Sequence, residues 1–395
     1  MKKIIYGSCF FLIAVLICAC FSPWQGDEGN LSITWGNSGN SRQFATNLST
    51  IPVFKVILKG PGGTIEEEFT NQPLGANFSV IPGTWSVIVK GIDPSQGGEL
   101  MVMGIEQIEV KAGKKSSEII RMYSAVEVGS WWDLNSAATD TRFNPSDPGN
   151  SSYTGTGEYI IIIKDSLEAG LSWTSAIAIT RPIILVAEKP VTIRRQKGSG
   201  GGFTNPFFNI SGGRLTLGWP GMTGTITLDG SYTSPTSSAI SLGLTMGDAL
   251  VMYDGITIKN NITDNGRGGG VFLGQQGLFE MNGGIISDNY ALGGGTMGGH
   301  GGGVCAVGTF TMNGGTIKNN TATLDIPASI SGQGGGVYVD SMSLGSIMKG
   351  GTITGNKAEG PGAQGGGVYH SGNFTAPGGT ISGNSPKPDV WPVLP

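Results

Sequence analysis

Cysteine and histidine are scarce in this chain, and their placement excludes most thiol and metal chemistry. Three of the four cysteines lie in the first twenty residues, so only Cys305 remains beyond them. A lone cysteine forms no intramolecular disulfide, and it is too isolated for a thiolate metal site. The two histidines, His300 and His370, do not recur at equivalent positions of the repeat described below. We expect no disulfide framework, no metal and no cofactor, and we expect Cys305 to be a small apolar residue of a strand.

Charged residues are also few, at 13% of the chain against a usual share of about 25%. The formal net charge is −4, which argues against nucleic acid as a partner, because nucleic-acid binding depends on basic surfaces. Hydrophobic residues make up 38% of the chain, which is too many for a charge-rich disordered protein. After the N-terminus, no apolar run reaches the roughly 20 residues that a membrane span needs.

The N-terminus predicts export and lipid attachment. Two lysines precede an apolar stretch, the pattern of a secretory signal, and the stretch ends in Ile-Cys-Ala-Cys at 17–20. These last residues resemble a bacterial lipobox, which implies that Cys20 is the lipidated first residue of the mature chain. We predict a signal peptide over 1–19 and a tether over 20–30. The alternatives are a plain signal peptide and an uncleaved anchor.

Residues 31–123 predict a β-sandwich. About seven short segments alternate apolar and polar residues, which is the period of a strand, and turns rich in glycine and proline separate them. The run Pro-Gly-Thr-Trp at 82–85 and the run Lys-Ala-Gly-Lys at 111–114 resemble carboxypeptidase-regulatory or fibronectin-like modules. No residues in this region suggest chemistry, so we interpret it as a spacer or a binding module.

A glycine-rich repeat dominates the second half of the chain. Gly-Gly-Gly-Val occurs at 268–271, 301–304, 334–337 and 365–368, with spacings of 33, 33 and 31 residues. Gly-Gly-x-Ile follows each of them, at 283–286, 314–317, 350–353 and 378–381. Self-similarity at a period of about 20–50 residues is typical of a solenoid. Helical repeats are excluded, because each glycine costs about 1 kcal/mol in a helix relative to alanine.

The short apolar pieces between the glycines match three strands per turn, with glycine at the corners. They predict a right-handed parallel β-helix with one rung per repeat. Adjacent rungs lie about 4.8 Å apart, so an asparagine that recurs at one corner can bond through its side-chain amide to the next rung. The predicted column of structural corner asparagines is Asn261, Asn289, Asn320, Asn356 and Asn384.

The β-helix is predicted over 126–385, with irregular rungs to about residue 254 and regular repeats over 255–385. The residues around Ser130 have a helical pattern, with Ser130 as the N-cap. A short helix there would cover the open end of the solenoid. Residues 386–395 are predicted to be a proline-rich tail. The fold class is therefore all-β, a sandwich followed by a solenoid.

The repeats resemble those of the chlamydial polymorphic outer-membrane proteins, which pair a Gly-Gly-aliphatic motif with Phe-x-x-Asn. Residues 279–282 and 310–313 match the second motif, whereas 346–349 and 374–377 depart from it, and Gly-Gly-Gly-Val replaces the usual Gly-Gly-Ala-Ile. The chain also resembles glycine-rich β-helix lipoproteins of spirochaetes and related bacteria. The resemblance implies a surface protein and an adhesin. That family carries a C-terminal autotransporter barrel, whereas this sequence stops at Pro395, so we expect attachment by lipid instead.

Parallel β-helices also include polysaccharide lyases and glycosidases, so a polysaccharide-active enzyme is the alternative function. Glycosidases need two carboxylates at a fixed separation of about 5–9.5 Å. In the repeat alignment, Glu280 faces Thr311, Ile347 and Thr375, and Asp288 faces Asn319, Gly355 and Gly383, so no carboxylate column forms. Asp254 and Asp264 are the only pair to consider, and turn roles explain both. We therefore expect no catalytic site.

Recognition is predicted on four segments of variable length that connect each corner asparagine to the next glycine triplet. The segments are Ile262–Arg267, Tyr290–His300, Thr321–Gln333 and Lys357–Gln364, with 6, 11, 13 and 8 residues. They leave from the same corner of successive rungs, so together they should form one surface, which we name the loop wall. Per-repeat insertions on one face of a solenoid often carry its binding surface. The aromatic column Phe272, Tyr338 and Tyr369, broken by Cys305, is either a structural stack or a sugar-binding strip.

The predicted function is that of an exported, lipid-anchored protein of the bacterial cell envelope with a non-catalytic adhesive, binding or structural role. Because Phe21 rather than aspartate follows Cys20, the outer membrane is the expected location in a Gram-negative host, with its periplasmic and surface sides both open. The expected partners are the membrane, through the lipid, and a host or cell-surface protein or glycan.

Overall fold

The computed structural model describes residues 28–36, 48, 51–70, 74–96, 99–139, 158–170, 175–196, 204–231, 237–243, 245–264, 266–294, 298–324 and 331–393. The predicted signal peptide, Cys20 and nearly all of the predicted tether lie outside these residues. In the described ranges the chain is almost entirely β-structure, with one α-helix, α1 (Trp131–Thr139). No helix in these ranges is long and apolar enough to span a membrane.

The described part before α1 forms two sheets around a shared core. Its strands are β1 (Gly29–Gly36), β2 (Val53–Gly60), β3 (Gly63–Thr70), β4 (Gly75–Val80), β5 (Gly83–Asp93), β6 (Glu99–Val110), β7 (Lys115–Arg121) and β8 (Tyr123–Val128). One sheet has the order β4-β1-β7, and the other strands begin a 13-stranded sheet in the order β3-β2-β5-β6-β8. The Trp35 ring of β1 lies between the two sheets, 5.6 Å from the ring of Phe54 and 5.8 Å from that of Phe69.

Strand β1 begins earlier than the sequence predicts. Gly29 pairs with Val80 of β4, and Asn30 pairs with Lys115 of β7. Pairing on both sides holds these two residues in the sheet, although they lie inside the predicted tether.

A parallel β-solenoid of about seven turns follows α1. Its strands are β9 (Tyr159–Ile163), β10 (Leu167–Ala169), β11 (Ile177–Ile179), β12 (Ile183–Ala187), β13 (Pro190–Arg195), β14 (Phe208–Ile210), β15 (Arg214–Leu217), β16 (Thr225–Asp229), β17 (Ile240–Leu242), β18 (Ala249–Met252), β19 (Ile256–Lys259), β20 (Ile262–Thr263), β21 (Val271–Leu273), β22 (Leu278–Met281), β23 (Ile285–Ser287), β24 (Tyr290–Gly293), β25 (Val304–Ala306), β26 (Thr309–Met312), β27 (Thr316–Lys318), β28 (Thr321–Leu324), β29 (Val337–Val339), β30 (Ser346–Met348), β31 (Thr352–Thr354), β32 (Lys357–Ala358), β33 (Val368–His370), β34 (Phe374–Thr375), β35 (Thr380–Ser382) and β36 (Val390–Trp391).

These strands form four parallel faces. Face 1 is the continuation of the 13-stranded sheet, β9-β12-β15-β18-β22-β26-β30-β34; face 2 is β10-β13-β16-β19-β23-β27-β31-β35; face 3 is β11-β14-β17-β21-β25-β29-β33-β36; and face 4 is β20-β24-β28-β32. The prediction of three strands per turn describes the first turns. Each regular rung has a fourth strand as well, because the residues after the corner asparagine pair with the same residues of the next rung.

The predicted sandwich and the solenoid are not separate, because strand β8 belongs to both. It pairs antiparallel with β6 on one side and parallel with β9 on the other. The first solenoid strand of face 1, β9, therefore has a hydrogen-bonded neighbour instead of an open edge. Helix α1 covers the adjacent end of the core with Trp131 and Leu134, and Ser130 Oγ accepts a hydrogen bond from the N–H of Asp133 at 3.1 Å, the N-cap geometry.

A loop of the solenoid strengthens the same junction. The segment between β15 and β16 folds over the outer side of the 13-stranded sheet, where Trp219 Nε1 donates to the carbonyl of Ile105 at 2.9 Å. Lys59 Nζ donates to Thr223 Oγ1 at 3.1 Å. The buried outer residues of β9 and β12, such as Ile160 and Val186, belong to the small core under this loop.

The glycine triplets allow the chain to turn where the walls of the solenoid approach each other. The first glycine of each triplet has φ between 59° and 67°, and a Cβ on Gly301 would lie 2.0 Å from the carbonyl oxygen of Val304. A Cβ on the second glycine, Gly302, would lie 2.5 Å from the backbone of Thr321 in face 4. No other residue tolerates both the left-handed conformation and the close backbone contact.

The solenoid core is filled by columns of identical or similar side chains. Inward residues of face 2 are isoleucines in the regular rungs. Those of face 1 include methionines and the rings of Phe279 and Phe310, which are 5.1 Å apart and tilted by 31°. Burial of each such side chain contributes about 1.5–3 kcal/mol.

The predicted proline-rich tail takes part in the fold. Val390 and Trp391 form β36, which pairs in parallel with β33 of face 3. The backbone carbonyl of Asp389 accepts hydrogen bonds from the N–H groups of Gly367 and Val368. Residues 386–393 thus cover the C-terminal end of face 3.

Candidate functional site

The corner asparagines form a continuous ladder. In each step the side-chain Nδ2 and the backbone N–H of one asparagine donate to the Oδ1 of the next, at 2.9–3.1 Å, along Asn261, Asn289, Asn320, Asn356 and Asn384. From Asn289 onward, each Nδ2 also donates to an isoleucine carbonyl of the preceding rung at 3.0 Å. All five side chains are buried, with 0–3% of their surface exposed. The stacking predicted from sequence is present.

Each end of the ladder contacts a charged side chain: a cation lies at the end with the free acceptor, and an anion lies at the end with the free donor. At the first end, Asn261 Oδ1 has no preceding asparagine, and the buried Arg195 lies there with its Nε 3.5 Å from the oxygen. At the last end, Asn384 N–H donates to the carboxylate of Asp389 at 2.7 Å. Burial lowers the pKa of Arg195 to about 9. Burial acts to raise the pKa of Asp389, but hydrogen bonds from Lys387 and Asn384 hold this pKa below its ordinary value.

The residue before each ladder asparagine adopts the left-handed backbone conformation. Asn260, Asp288 and Asn319 have φ of 58°, 56° and 55°, and glycine occupies the same place in the next two rungs. Asparagine, aspartate and glycine are the residues that adopt this left-handed conformation most readily. Asp288 therefore lies at a turn position, as the sequence alignment of its column indicates.

The loop wall is fixed at both of its ends. Its first residues pair as the strands of face 4, so Tyr290–Gly293 and Thr321–Leu324 are strands rather than loop. Its last residues, Arg267, His300, Gln333 and Gln364, pair in parallel through isolated bridges. Only the middle of each segment varies, and of these residues 265, 295–297 and 325–330 lie outside the described part of the chain.

Neighbouring segments of the loop wall touch each other. Thr323 Oγ1 donates to the carboxylate of Glu359 at 2.9 Å, and Lys357 Nζ lies 2.6 Å from the same group. The hydrogen bond from Lys357 lowers the pKa of Glu359. The N–H of Gly332 donates to the backbone carbonyl of Glu359 at 2.8 Å, and Ser331 Oγ donates to the carbonyl of Pro361. The described parts of the third and fourth segments therefore form one connected surface.

The aromatic column is a stack of rings along the solenoid axis. Phe272, Cys305, Tyr338 and Tyr369 are in register, and the Tyr338 and Tyr369 rings are 5.4 Å apart and 4° from parallel. His300, from the end of the loop wall, stacks on the other side of Tyr338 at 4.4 Å. Both ring faces of Tyr338 are therefore covered, and only 7% of the residue is exposed. The faces of the Tyr338 ring are therefore closed to a sugar, whereas Phe272 and Tyr369 are partly exposed.

Burial shifts the pKa of both Cys305 and His300 toward the neutral form of the side chain. Cys305 is a buried free cysteine with 1% of its surface exposed, and its burial raises the pKa of the thiol to about 12. Burial, together with the nearby Arg267, lowers the pKa of His300. No cluster of metal-ligating residues occurs in the described ranges.

The carboxylates of the solenoid are separated or used in turns. Glu280 is in register with Thr311, then Ile347, then Thr375, as the alignment predicts. Asp254, between β18 and β19, accepts a hydrogen bond from the N–H of Gly284 at 3.1 Å. Asp264 follows β20, at another corner of the same rung. The structure therefore does not bring Asp254 and Asp264 together at one corner.

Asp248 is a carboxylate that sequence reasoning did not single out. It is fully buried, and it accepts hydrogen bonds from the N–H groups of Gly212, Gly243 and Thr245 at 2.5, 2.9 and 3.0 Å. Through these three hydrogen bonds, Asp248 links the corner after β14 to the corner after β17 in the next rung.

A cavity of about 360 Å³ lies on the outer side of the 13-stranded sheet near the junction. Its charged groups pair with one another: Lys55 with Glu66 at 2.5 Å and Lys90 with Glu188 at 2.7 Å. Glu127 contacts Lys90 at 3.4 Å and Lys164 at 2.6 Å. The Lys55 pair lies within the hairpin of β2 and β3, whereas the pairs of Lys90 and Lys164 join β5, β8 and the first solenoid turns and so stabilise the junction.

Two residues that terminate the ladder, Arg195 and Asp389, were missed from sequence. For Arg195 a signal exists, because it continues the inward period of Val191 and Ile193 in β13. For Asp389 the repeat period contains no signal, since the distance from Asn384 is five residues rather than a full repeat.

The chain has no match among family models, characterised protein sequences or solved structures.

Proposed function

We propose that this chain is an exported, lipid-anchored protein of the bacterial cell envelope, whose β-helix binds its partner without catalysis through the loop wall. The observation that carries the proposal is the fixation of every variable segment at both ends. The asparagine ladder lies before each segment, and the bridges at Arg267, His300, Gln333 and Gln364 lie after it. Variable loops on such a rigid scaffold are the usual sites of recognition.

The handedness of the solenoid and the fold type of the N-terminal strands belong to the same proposal. The solenoid is a right-handed β-helix, because crossover connections between parallel strands of one sheet are right-handed in about 98% of cases. The N-terminal strands are a β-sandwich of the carboxypeptidase-regulatory or fibronectin-like kind, supported by the core that the two sheets share. The sandwich then acts as a spacer that is joined to the β-helix through β8.

The location rests on the sequence of the N-terminus. The lipobox-like residues at 17–20 support lipid attachment at Cys20, and Phe21 after it supports the outer membrane in a Gram-negative host. The partner is a host or cell-surface protein or glycan. Mass spectrometry of the mature N-terminus tests the anchor, and an unmodified Cys20 on protein released into the medium would reject it.

The absence of catalysis is part of the proposal, and a polysaccharide-active enzyme is the alternative. The described acids support the proposal, because Asp254 accepts from a backbone N–H and Asp248 is enclosed by three of them. Asp229, the next acid upstream, accepts from Asn260 Nδ2 and from the N–H of Ser231. Release of reducing ends or unsaturated products from acidic polysaccharides by the purified protein would establish the enzyme instead.

The binding role is tested by shortening the loop wall without disturbing its ends. Residues 325–331 and 294–298 are replaced by short glycine-serine links, which retain the face 4 strands and the bridges at His300 and Gln333. Circular dichroism and thermal unfolding should match the unaltered protein, and adhesion to host cells or envelope preparations should be lost. Unchanged adhesion by this variant, with all four segments shortened in turn, would place the site elsewhere.

A further inference from the structure

The outer side of face 2 keeps one residue type from rung to rung. Its first outward column is Thr192, Thr227, Thr257, Ile285, Thr316, Thr352 and Thr380, each in register with the next. Six of these seven residues are threonine. The side chains of the first six rungs are partly exposed, and that of Thr380 is exposed. No side-chain hydrogen bond to these hydroxyls occurs among the described residues.

Strand propensity alone does not produce this column. Threonine is favoured in strands, as are valine, isoleucine and the aromatic residues. The equivalent outward columns of the other faces vary accordingly. Face 1 has Thr216, Val251, Glu280, Thr311, Ile347 and Thr375, and face 3 has Ser241, Phe272, Cys305, Tyr338 and Tyr369. The three faces share the same rungs and the same strand geometry. We therefore attribute the constant residue type in the outward column of face 2 to contacts made on its outer side.

A second outward column on face 2 contains three basic and two acidic residues. It consists of Glu168, Arg194, Asp229, Lys259, Ser287, Lys318, Thr354 and Ser382. Asp229 is buried and lies 3.8 Å from Arg194. Lys259 and Lys318 form no ion pair with any described residue. They lie two rungs apart, which is about 10 Å at the spacing of adjacent strands.

We propose that the outer side of face 2 binds a linear acidic polysaccharide along the solenoid axis. Each threonine offers a hydroxyl that both donates and accepts, next to a methyl group that contacts the apolar side of a sugar ring. Lys259 and Lys318, about 10 Å apart, provide partners for uronate carboxylates in a chain whose total net charge is −4. An extended polymer repeats along its length, as the threonine column does. This inference deepens the proposed binding function, on which it rests, by naming a second surface and a polymer class.

The test uses polygalacturonate and alginate as probes, with a neutral β-glucan for comparison, in affinity electrophoresis and calorimetry. The intact protein should bind the two uronate polymers and not the neutral glucan, and binding should weaken as salt is raised. The double variant Lys259→Gln and Lys318→Gln should bind on the order of tenfold more weakly. The variant Thr316→Val and Thr352→Val keeps shape and strand propensity, and it should also bind more weakly.

Matched controls lie on the next face of the same rungs. Thr309→Val with Thr311→Val alters two outward threonines of face 1, and Lys349→Gln removes a corner charge; both should leave binding unchanged. Equal binding by the face 2 variants and the intact protein would overturn the inference, as would no binding of either uronate polymer by the intact protein. Equally tight binding of single-stranded DNA would replace the polysaccharide by a general anion.

The two binding proposals fail separately. A protein with a shortened loop wall should still bind uronate polymers, since its face 2 is unchanged. If that variant loses polymer binding while the face 2 variants retain it, the polymer belongs to the loop wall and this inference is rejected. If adhesion survives shortening of the loop wall but polymer binding depends on Lys259 and Lys318, the loop wall is rejected instead.

Discussion

The carboxylate of Asp389 accepts a hydrogen bond from the N–H of Asn384 at 2.7 Å, as the side chain of Asn384 does for Asn356 at 2.9 Å. Asp389 thus occupies the place of a further asparagine, although it follows Asn384 by only five residues. Every ladder step points in one direction, with donors facing the C-terminal end. An anion at that end and the Arg195 guanidinium at the other are the charges that this direction favours.

Removal of the acceptor at Asp389 should destabilise the last rung. Asp389→Ala leaves the buried N–H of Asn384 without its partner, which we expect to cost about 1–3 kcal/mol of unfolding free energy. Asp389→Asn retains a side-chain oxygen and should lose clearly less. Urea unfolding measures both differences. Lys387→Gln is the control, because its exposed ion pair with Asp389 contributes little; an equal loss in this variant would assign the effect to the ion pair.

Substitution of two adjacent asparagines at one corner should change the stability by very different amounts. Asn320→Ala removes the acceptor of Asn289 and the donor to Asn356 and to the Ile286 carbonyl. Several buried groups then lack partners, so we expect a loss above about 3 kcal/mol. Asn319→Gly changes the preceding residue, whose φ is 55° and whose place is taken by glycine in the next rung.

The Asn319→Gly protein should remain within about 0.5 kcal/mol of the original, because glycine adopts the left-handed conformation without strain. Thermal and urea unfolding of the two variants, measured in parallel, provide the comparison. Similar losses in both variants would mean that the corner conformation, rather than the ladder, carries the stability of the rung.

Sequence reasoning identified the features of the fold that recur. The glycine triplets, the column of isoleucines and the corner asparagines are periodic, and periodicity alone places Asn289 next to Asn320. Face 4 was missed because its strands bury only small side chains such as Ala322, which leave no recurring large apolar residue in the sequence.

Non-periodic contacts were outside the reach of this reasoning. Arg195 meets Asn261 across 66 residues, and Trp219 meets Ile105 across 114. The dual pairing of β8 is equally hidden, because the alternation of a strand does not say whether its neighbour is parallel or antiparallel. The junction of the two parts and both ends of the ladder depend on these contacts, so the structure was needed to find them.

Acid should loosen the junction through Glu127. Burial would raise the pKa of this carboxyl, but the hydrogen bond from Lys164 and the charge of Lys90 lower it overall. A lowered pKa means that the contribution is fully present above the unfolded value of about 4.3 and is lost as pH falls through the folded value. We expect the unfolding midpoint to fall between pH 5 and pH 3, and to fall less in Glu127→Gln.

The exposed Glu67 of β3 serves as the control for this pH dependence. Glu67→Gln changes the net charge by the same amount without touching Lys90 or Lys164, so its midpoints should follow the unaltered protein. If the Glu127→Gln and Glu67→Gln curves have the same slope, the acid sensitivity arises from the general charge of the chain and not from the junction.

Cys305 provides a test of the core and of the lipid anchor in one measurement. Its thiol is buried, and its pKa of about 12 leaves almost no thiolate near pH 8, so the folded protein should not react with a thiol reagent on the scale of hours. After unfolding in urea, the mature lipid-anchored chain should show one reactive thiol, because lipidation occupies the sulfur of Cys20. Two reactive thiols, one of them already reactive in the folded protein, would mean that Cys20 is present and unmodified. A reactive Cys305 in the folded protein would mean that face 3 opens. Repeating the thiol count on the Cys305→Ser variant would identify which of the two sulfurs had reacted.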